Sequence, residues 1–182
     1  MNATASLPGF HSPAASFEQP FDMLEACHER VQRSLALLGR IVAHVQAQGH
    51  DAQSRSACAD VMRYFDVAAP HHHEDEERHV FPLLRQHPDP LVREAVATLQ
   101  AQHTQMHALW QRLRPRLLAW QSDAAPAIHD ADCALIAEFN AVYAQHIPLE
   151  ESLAYPAAQP LLDGAALQAV GQEMAARRQG AR

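Results

Sequence analysis

The 182-residue sequence has no long apolar run, no basic amino-terminal stretch, no stripe of Lys and Arg, and no closely spaced pair of cysteines. Each absence removes a class of function. A helix that spans a bilayer needs about 20 consecutive apolar residues, and no such run exists. The opening segment from Met1 to Pro20 lacks both the charged start and the apolar stretch of a secretory signal. A cytoplasmic protein with no membrane partner is therefore expected. The formal net charge is -7, and without a basic stripe there is nothing to neutralise a phosphate backbone, so no nucleic-acid partner is expected. Cys27, Cys58 and Cys133 are widely separated and form no Cys-x-x-Cys pair. That excludes a thiolate cluster for zinc or iron-sulfur chemistry and leaves them as packing residues. Alternation of apolar and polar residues is missing too, which argues against strands.

What the chain does contain is histidine: 13 of them, against 14 Lys plus Arg and 21 Asp plus Glu. Imidazoles nearly as common as fixed positive charges point toward metal binding. Four segments carry apolar residues at spacings of three and four, the pattern of one helix face. The first runs Phe21, Leu24, His28, Val31, Leu35, Leu38, Val42, Val45 and closes near Gly49. The second, capped at Asp51 or Ser54, takes in Val61, Phe65, Ala68, His72, His79 and Leu83, with a kink expected at Pro70. The third follows the His87-Pro88-Asp89-Pro90 break through Val92, Val96, Leu99, His103, Met106, Trp110, Leu113 and Leu117. The fourth passes through Ile128, Leu135, Phe139, Val142, His146, Leu149 and Leu153.

Each stripe holds a histidine at a core position: His28, His72, His103 and His146. One such histidine is ordinarily a hydrogen-bonded core residue. Four that converge each need partners, and a shared metal supplies all of them at once. Short connections between long helices predict an all-α, antiparallel, up-down-up-down four-helix bundle over residues 21–157. An irregular segment is expected at 1–20, and a short outer helix and tail at 158–182.

The sharpest signal is an internal repeat. His72-His73-Glu74-Asp75-Glu76-Glu77 and His146-Ile147-Pro148-Leu149-Glu150-Glu151 share His-x-x-x-Glu-Glu, followed by Phe81-Pro82 and Tyr155-Pro156 at the same distance. Leu24-x-Ala26-x-His28 and Leu99-x-Ala101-x-His103 align before them, so the chain reads as two similar helical hairpins. A His and a Glu four apart share a helix face. The repeat selects His72 with Glu76 and His146 with Glu150; His73 with Glu77 is the next-best register. Pro148 falls inside the second pair and is expected to bend the helix there and alter the His146 to Glu150 distance. His71, His73, His79, Glu74, Asp75 and Glu77 either orient ligands from behind or form a solvated face. His11, His44, His50, His87 and His129 fall off the stripes and are expected to face solvent.

This doubled motif resembles the haemerythrin-like, or HHE cation-binding, domains over about Phe21 to Ala157. The resemblance implies two iron ions, bridged by an oxo or hydroxo group, inside a four-helix bundle, with zinc a less favoured occupant. It implies His28, His72, Glu76, His103, His146 and Glu150 as metal ligands, the two glutamates bridging. His107, one turn after His103, would be a fifth imidazole, as in the oxygen-carrying members whose third helix supplies two histidines; otherwise it lies behind the ligands or at the surface. The function implied is binding of dioxygen or another diatomic ligand, or sensing of oxygen, iron or nitric oxide, more a non-catalytic role than an enzymatic one. A di-iron oxidoreductase or iron-sulfur repair protein is the alternative, although the cysteine-bearing extension of the repair members is not seen. A zinc-binding or metal-free interaction module is the other.

Overall fold

The computed structural model describes residues 16–122 and 124–180, which form helices joined by short connections, with no strand among them. Most of the segment expected to be irregular, 1–20, and His11 with it, lies outside the described residues. Five helices follow one another: α1 (Pro20–Gln48), α2 (residues 52–84), α3 (Pro90–Trp120), α4 (residues 130–158) and α5 (Gly164–Gly180). None is long and apolar enough to cross a membrane.

The helix ends follow local chemistry. Pro20 opens α1, where a missing N–H is harmless. Gly49 ends it with φ of 81°, in the left-handed region that suits glycine. Asp51 and Ser54 form a reciprocal cap on α2: the Ser54 N–H donates to Asp51 Oδ1 at 2.8 Å and the Asp51 N–H to Ser54 Oγ at 3.0 Å. Asp89 caps α3 by accepting the Leu91 N–H at 2.9 Å. His44 pairs with Asp51 at 2.9 Å, and His50 donates to the Pro126 carbonyl at 2.9 Å.

Three turns of α2 and α4 are wider than an α-helix. Over Tyr64–Ala68, Glu76–Val80 and Glu150–Ala154 the backbone bonds run from residue i to i+5, closed by the N–H groups of Ala69, Phe81 and Tyr155. The chain stays helical across Pro70 and Pro148, with a widened turn close to each.

Each wide turn inserts one residue into the helical phase, and this corrects the expected stripes. In α2 the buried positions are Ala69, Val80 and Leu84 in place of Ala68, His79 and Leu83; in α4 Ala154 is buried in place of Leu153. A constant period of 3.6 cannot anticipate such a slip.

The core has two apolar clusters, and on each of α1 to α4 the inward histidines and glutamates fall where one gives way to the other. Along α1 the order is Phe21, Leu24 and Cys27, then His28, then Val31, Leu38 and Ile41. Along α2 it is reversed: Val61 and Phe65, then His72 and Glu76, then Val80, Phe81 and Leu84. Along α3 Val96 and Leu99 precede His103, and Met106, Trp110 and Leu113 follow; along α4 Phe139 and Tyr143 precede His146 and Glu150, and Ala154 and Ala158 follow. A thin polar layer is thus sealed between two apolar ends.

The helix at the end of the chain is bound more firmly than its mixed composition suggests. Met174 of α5 is buried in the cluster that contains Phe21 and Tyr155. A Cβ on Gly171 would lie 1.7 Å from the Phe17 carbonyl oxygen, so only glycine lets α5 approach there. Arg177 and Arg178 both reach the buried carboxylate of Asp75 in α2, and Glu173 holds His79 at 2.6 Å. Asp75 and His79 are therefore held by α5 and form no solvated face.

Candidate metal centre

Six of the seven expected ligands meet in the polar layer. His28, His72, Glu76 and Glu150 form one group, and Glu76, His103, His146 and Glu150 a second, with each group's donor atoms all within 4.8 Å of one another. Glu76 and Glu150 are 0% exposed. His146 and Glu150 meet at 3.0 Å, so the pair stays together across Pro148.

The distances have a common scale. His28 Nε2 lies 3.1 Å from Glu150 Oε2, His72 Nε2 3.3 Å from Glu76 Oε1, His103 Nε2 3.4 Å from Glu76 Oε2, and His103 Nε2 3.2 Å from His146 Nε2. Two donors about 2.1 Å from one cation and at right angles to each other are about 3.0 Å apart. The carboxylates also divide evenly. Glu76 turns Oε1 to His72 and Oε2 to His103, while Glu150 turns Oε2 to His28 and Oε1 to His146.

Several of these atoms are otherwise orphaned. Glu76 Oε2, both Glu150 oxygens, His72 Nδ1 and His73 Nε2 are buried without a hydrogen-bond partner. Buried polar atoms without partners cost about 1–3 kcal/mol each, and cations among them would satisfy most of these groups together. The donor set of imidazole nitrogen and carboxylate oxygen fits iron, and zinc as well.

The electrostatics point the same way. Burial drives His72 down to about 4 and His146 down to about 3, so both are neutral and ready to donate a lone pair at neutral pH. Burial opposes charge on Glu76, but His72, His103 and His146 around it outweigh burial and hold its carboxyl well below the usual range. Glu150 goes the other way, raised by burial and then by the charge of Glu76. Burial would lower His103, yet Glu76 and Glu77 overcome it and raise the imidazole.

A surrounding set of residues aims the ligands. His28 Nδ1 donates to Glu151 at 2.8 Å, and His103 Nδ1 to Glu77 at 3.1 Å. His146 Nδ1 donates to Gln102 Oε1 at 2.9 Å. A carboxylate or an amide oxygen only accepts, so Nδ1 carries the proton and Nε2 is left as the free donor facing the centre. The second glutamate of each His-x-x-x-Glu-Glu motif thus serves the lone histidine of the neighbouring helix. The Tyr155 hydroxyl donates to Glu76 Oε1 and lies 3.3 Å from His28 Nε2.

His107 is not brought into either group. It is exposed and lines a cavity of about 520 Å³ with His73, Met106, Trp110 and Tyr143. Its ring belongs to the next turn of α3, facing the gap between helices. His73 stands nearer: its donor atom lies within 4.8 Å of those of His103 and His146, and its ring stacks on His103 at 4.1 Å. Glu151, Gln102 and Tyr155 went unrecognised in the sequence, although the doubled glutamate and the repeated aromatic-Pro step marked two of the three positions.

Comparison with known proteins agrees with this geometry. Over 165 residues, 91% of this chain and 93% of the other, the sequence is 32% identical to a protein from Haemophilus influenzae (strain ATCC 51907 / DSM 11121 / KW20 / Rd) that is named only as uncharacterized. Residues 19–158, which contain every ligand candidate, match the Hemerythrin HHE cation binding domain. The chain belongs to the hemerythrin HHE cation-binding family.

Proposed function

We propose that the chain holds two iron ions and uses them to bind dioxygen or a related diatomic molecule, as a carrier or as a sensor of oxygen, iron or nitric oxide. The observation that carries this reading is the division of the carboxylates: Glu76 and Glu150 each turn one oxygen toward the His28/His72 pair and the other toward the His103/His146 pair. One cation would need only one such pair. The reading also takes α1 to α4 as an up-down-up-down antiparallel bundle, which the alternating order of the two apolar clusters along successive helices supports.

In this reading His28 and His72 would hold one ion and His103 and His146 the other, with Glu76 and Glu150 shared between them. Bound iron would supply a reversible one-electron couple at each position. The chain's own part is to keep His72 and His146 neutral, fix the tautomers of His28, His103 and His146 through Glu151, Glu77 and Gln102, and exclude water with an apolar cluster on either side. The direct test is metal analysis after anaerobic iron loading. About two irons per chain are expected, with a visible absorption band that changes on admitting air. Zinc in place of iron, or one metal per chain, refutes the reading.

A further inference from the structure

The two halves of the repeat share the wide turns that begin at Glu76 and Glu150, but the first wide turn of α2, Tyr64–Ala68, has no counterpart. The matching residues of α4, Glu138 to Val142, are ordinary α-helix. Wide turns of this kind are frequent at functional sites, and this one borders the cavity of about 520 Å³ between α2, α3 and α4. Its wall is aromatic: the Phe65 ring lies 5.1 Å from Trp110, 5.0 Å from Phe139 and 5.9 Å from Tyr143. The turn itself fixes this wall. Trp110 Nε1 donates to Asp66 at 3.0 Å, and Arg114 Nε donates to the same carboxylate at 2.9 Å. Carboxylate and guanidinium are thus already paired with each other. Tyr143 lines the cavity and is only 3% exposed, yet its hydroxyl has no hydrogen-bond partner among the described residues.

We propose that this cavity binds a small, neutral, hydroxylated arene of one or two rings. Its volume falls within the range of about 300–1,000 Å³ typical of small-molecule sites. An aromatic guest gains edge and face contacts with the ring wall. A hydroxyl matches the buried phenol of Tyr143, because each can donate to the other or accept from it. Left unpaired, a buried polar group of this kind costs about 1–3 kcal/mol, which the guest's hydroxyl would relieve. A carboxylate or ammonium guest would have to compete with the ion pair already made between Asp66 and Arg114, and an unpaired charge is costly to bury. His73 also lines the cavity and stacks on His103 at 4.1 Å, so the guest sits one ring away from the metal centre without being one of its ligands. The assignment does not depend on which metal that centre holds.

Calorimetric titration of the iron-loaded full chain with 1-naphthol tests this. One molecule per chain should bind, with a Kd below about 1 mM. 1-Naphthoate, similar in shape but charged, should bind more weakly by about tenfold or more. Tyr143→Phe should weaken 1-naphthol about fivefold, the loss of one hydrogen bond, and leave naphthalene, which has no hydroxyl, unaffected. Gln111→Trp sets a large ring at an exposed point of the cavity wall and should abolish binding. Circular dichroism checks that both variants keep their helices. A wild type that does not bind 1-naphthol, or binds 1-naphthoate equally well, would overturn the inference. So would binding as tight in Tyr143→Phe as in the wild type, or binding that survives Gln111→Trp. Iron content is measured on the same samples, so a failure of the two-iron reading is seen separately and leaves the titration readable.

Discussion

At the scale of single residues, the centre depends on groups that never face the metal positions. Glu151 and Glu77 fix the tautomers of His28 and His103, and the loss of such a partner ordinarily costs about 10–100-fold in metal affinity. Glu151→Ala should therefore keep its helical circular dichroism but release iron to a chelator at concentrations about 10–100-fold lower. The cysteines give a second test at this scale. Cys58 is buried and pushed up to about 11 by burial, and Cys27 is raised for the same reason, while Cys133 is only partly buried. A thiol reagent should label Cys133 in the native protein and reach the other two only after unfolding. The ligand pairs were legible in the sequence because His-x-x-x-Glu occurs twice at matching distances. The partners of Nδ1 were not, because Glu151 meets His28 across 123 residues and nothing local records which neighbouring helix it faces.

Helices raise a different question, that of phase. The wide turns at Glu76–Val80 and Glu150–Ala154 begin at the two glutamates of the centre, and each turns the rest of its helix by one residue. Counting in 3.6s located His28 and His103, whose helices hold no such turn, His146, which precedes the one in its helix, and also His72, beyond the first turn of α2. It misplaced Ala68, His79, Leu83 and Leu153, which lie within or beyond one. The same misreading hid the role of α5. Asp75 stands next to Glu76 and is 1% exposed, with its carboxylate held by Arg177 and Arg178. Removing one member of a buried ion pair costs about 3–5 kcal/mol. Asp75→Ala should lower stability by about 3 kcal/mol in urea unfolding, partly through detachment of α5. Gly171→Ala tests the same contact from the apolar side. Its methyl group would strike the Phe17 carbonyl, and a loss of about 1–3 kcal/mol is expected. If both variants match the wild type, α5 does not brace the centre.

For the whole molecule the controlling fact is a layer of titratable groups sealed between two apolar clusters, which fixes how the metal-free protein responds to pH. His72 and His146 have folded values depressed to about 4 and about 3 by burial, and His73 is lowered as well. Unfolded, they titrate near ~6.5. Below that pH the unfolded chain binds more protons than the folded one, so stability falls as the solution becomes acidic. Glu76, depressed by its imidazole neighbours, adds to this loss below the usual carboxylate value. Glu150 and His103 act in the opposite sense, because their folded values are raised. Above the unfolded values, ~4.5 for Glu150 and ~6.5 for His103, the folded protein retains protons that the unfolded chain has released, and stability declines as pH rises. Between those two values the depressed histidines outnumber Glu150, so the net slope is upward; above ~6.5 only the declining contributions remain. The chelated protein should therefore be most stable near pH ~6.5 and weaken on both sides. Cations bound by deprotonated carboxylates and neutral imidazoles remove the alkaline decline, because they replace the protons on Glu150 and His103. Urea unfolding of chelated and iron-loaded protein between pH 4 and 9 measures both curves. A chelated protein whose stability still rises above pH 7, or an iron-loaded one with the same maximum, would show that these buried groups do not control the stability of the fold.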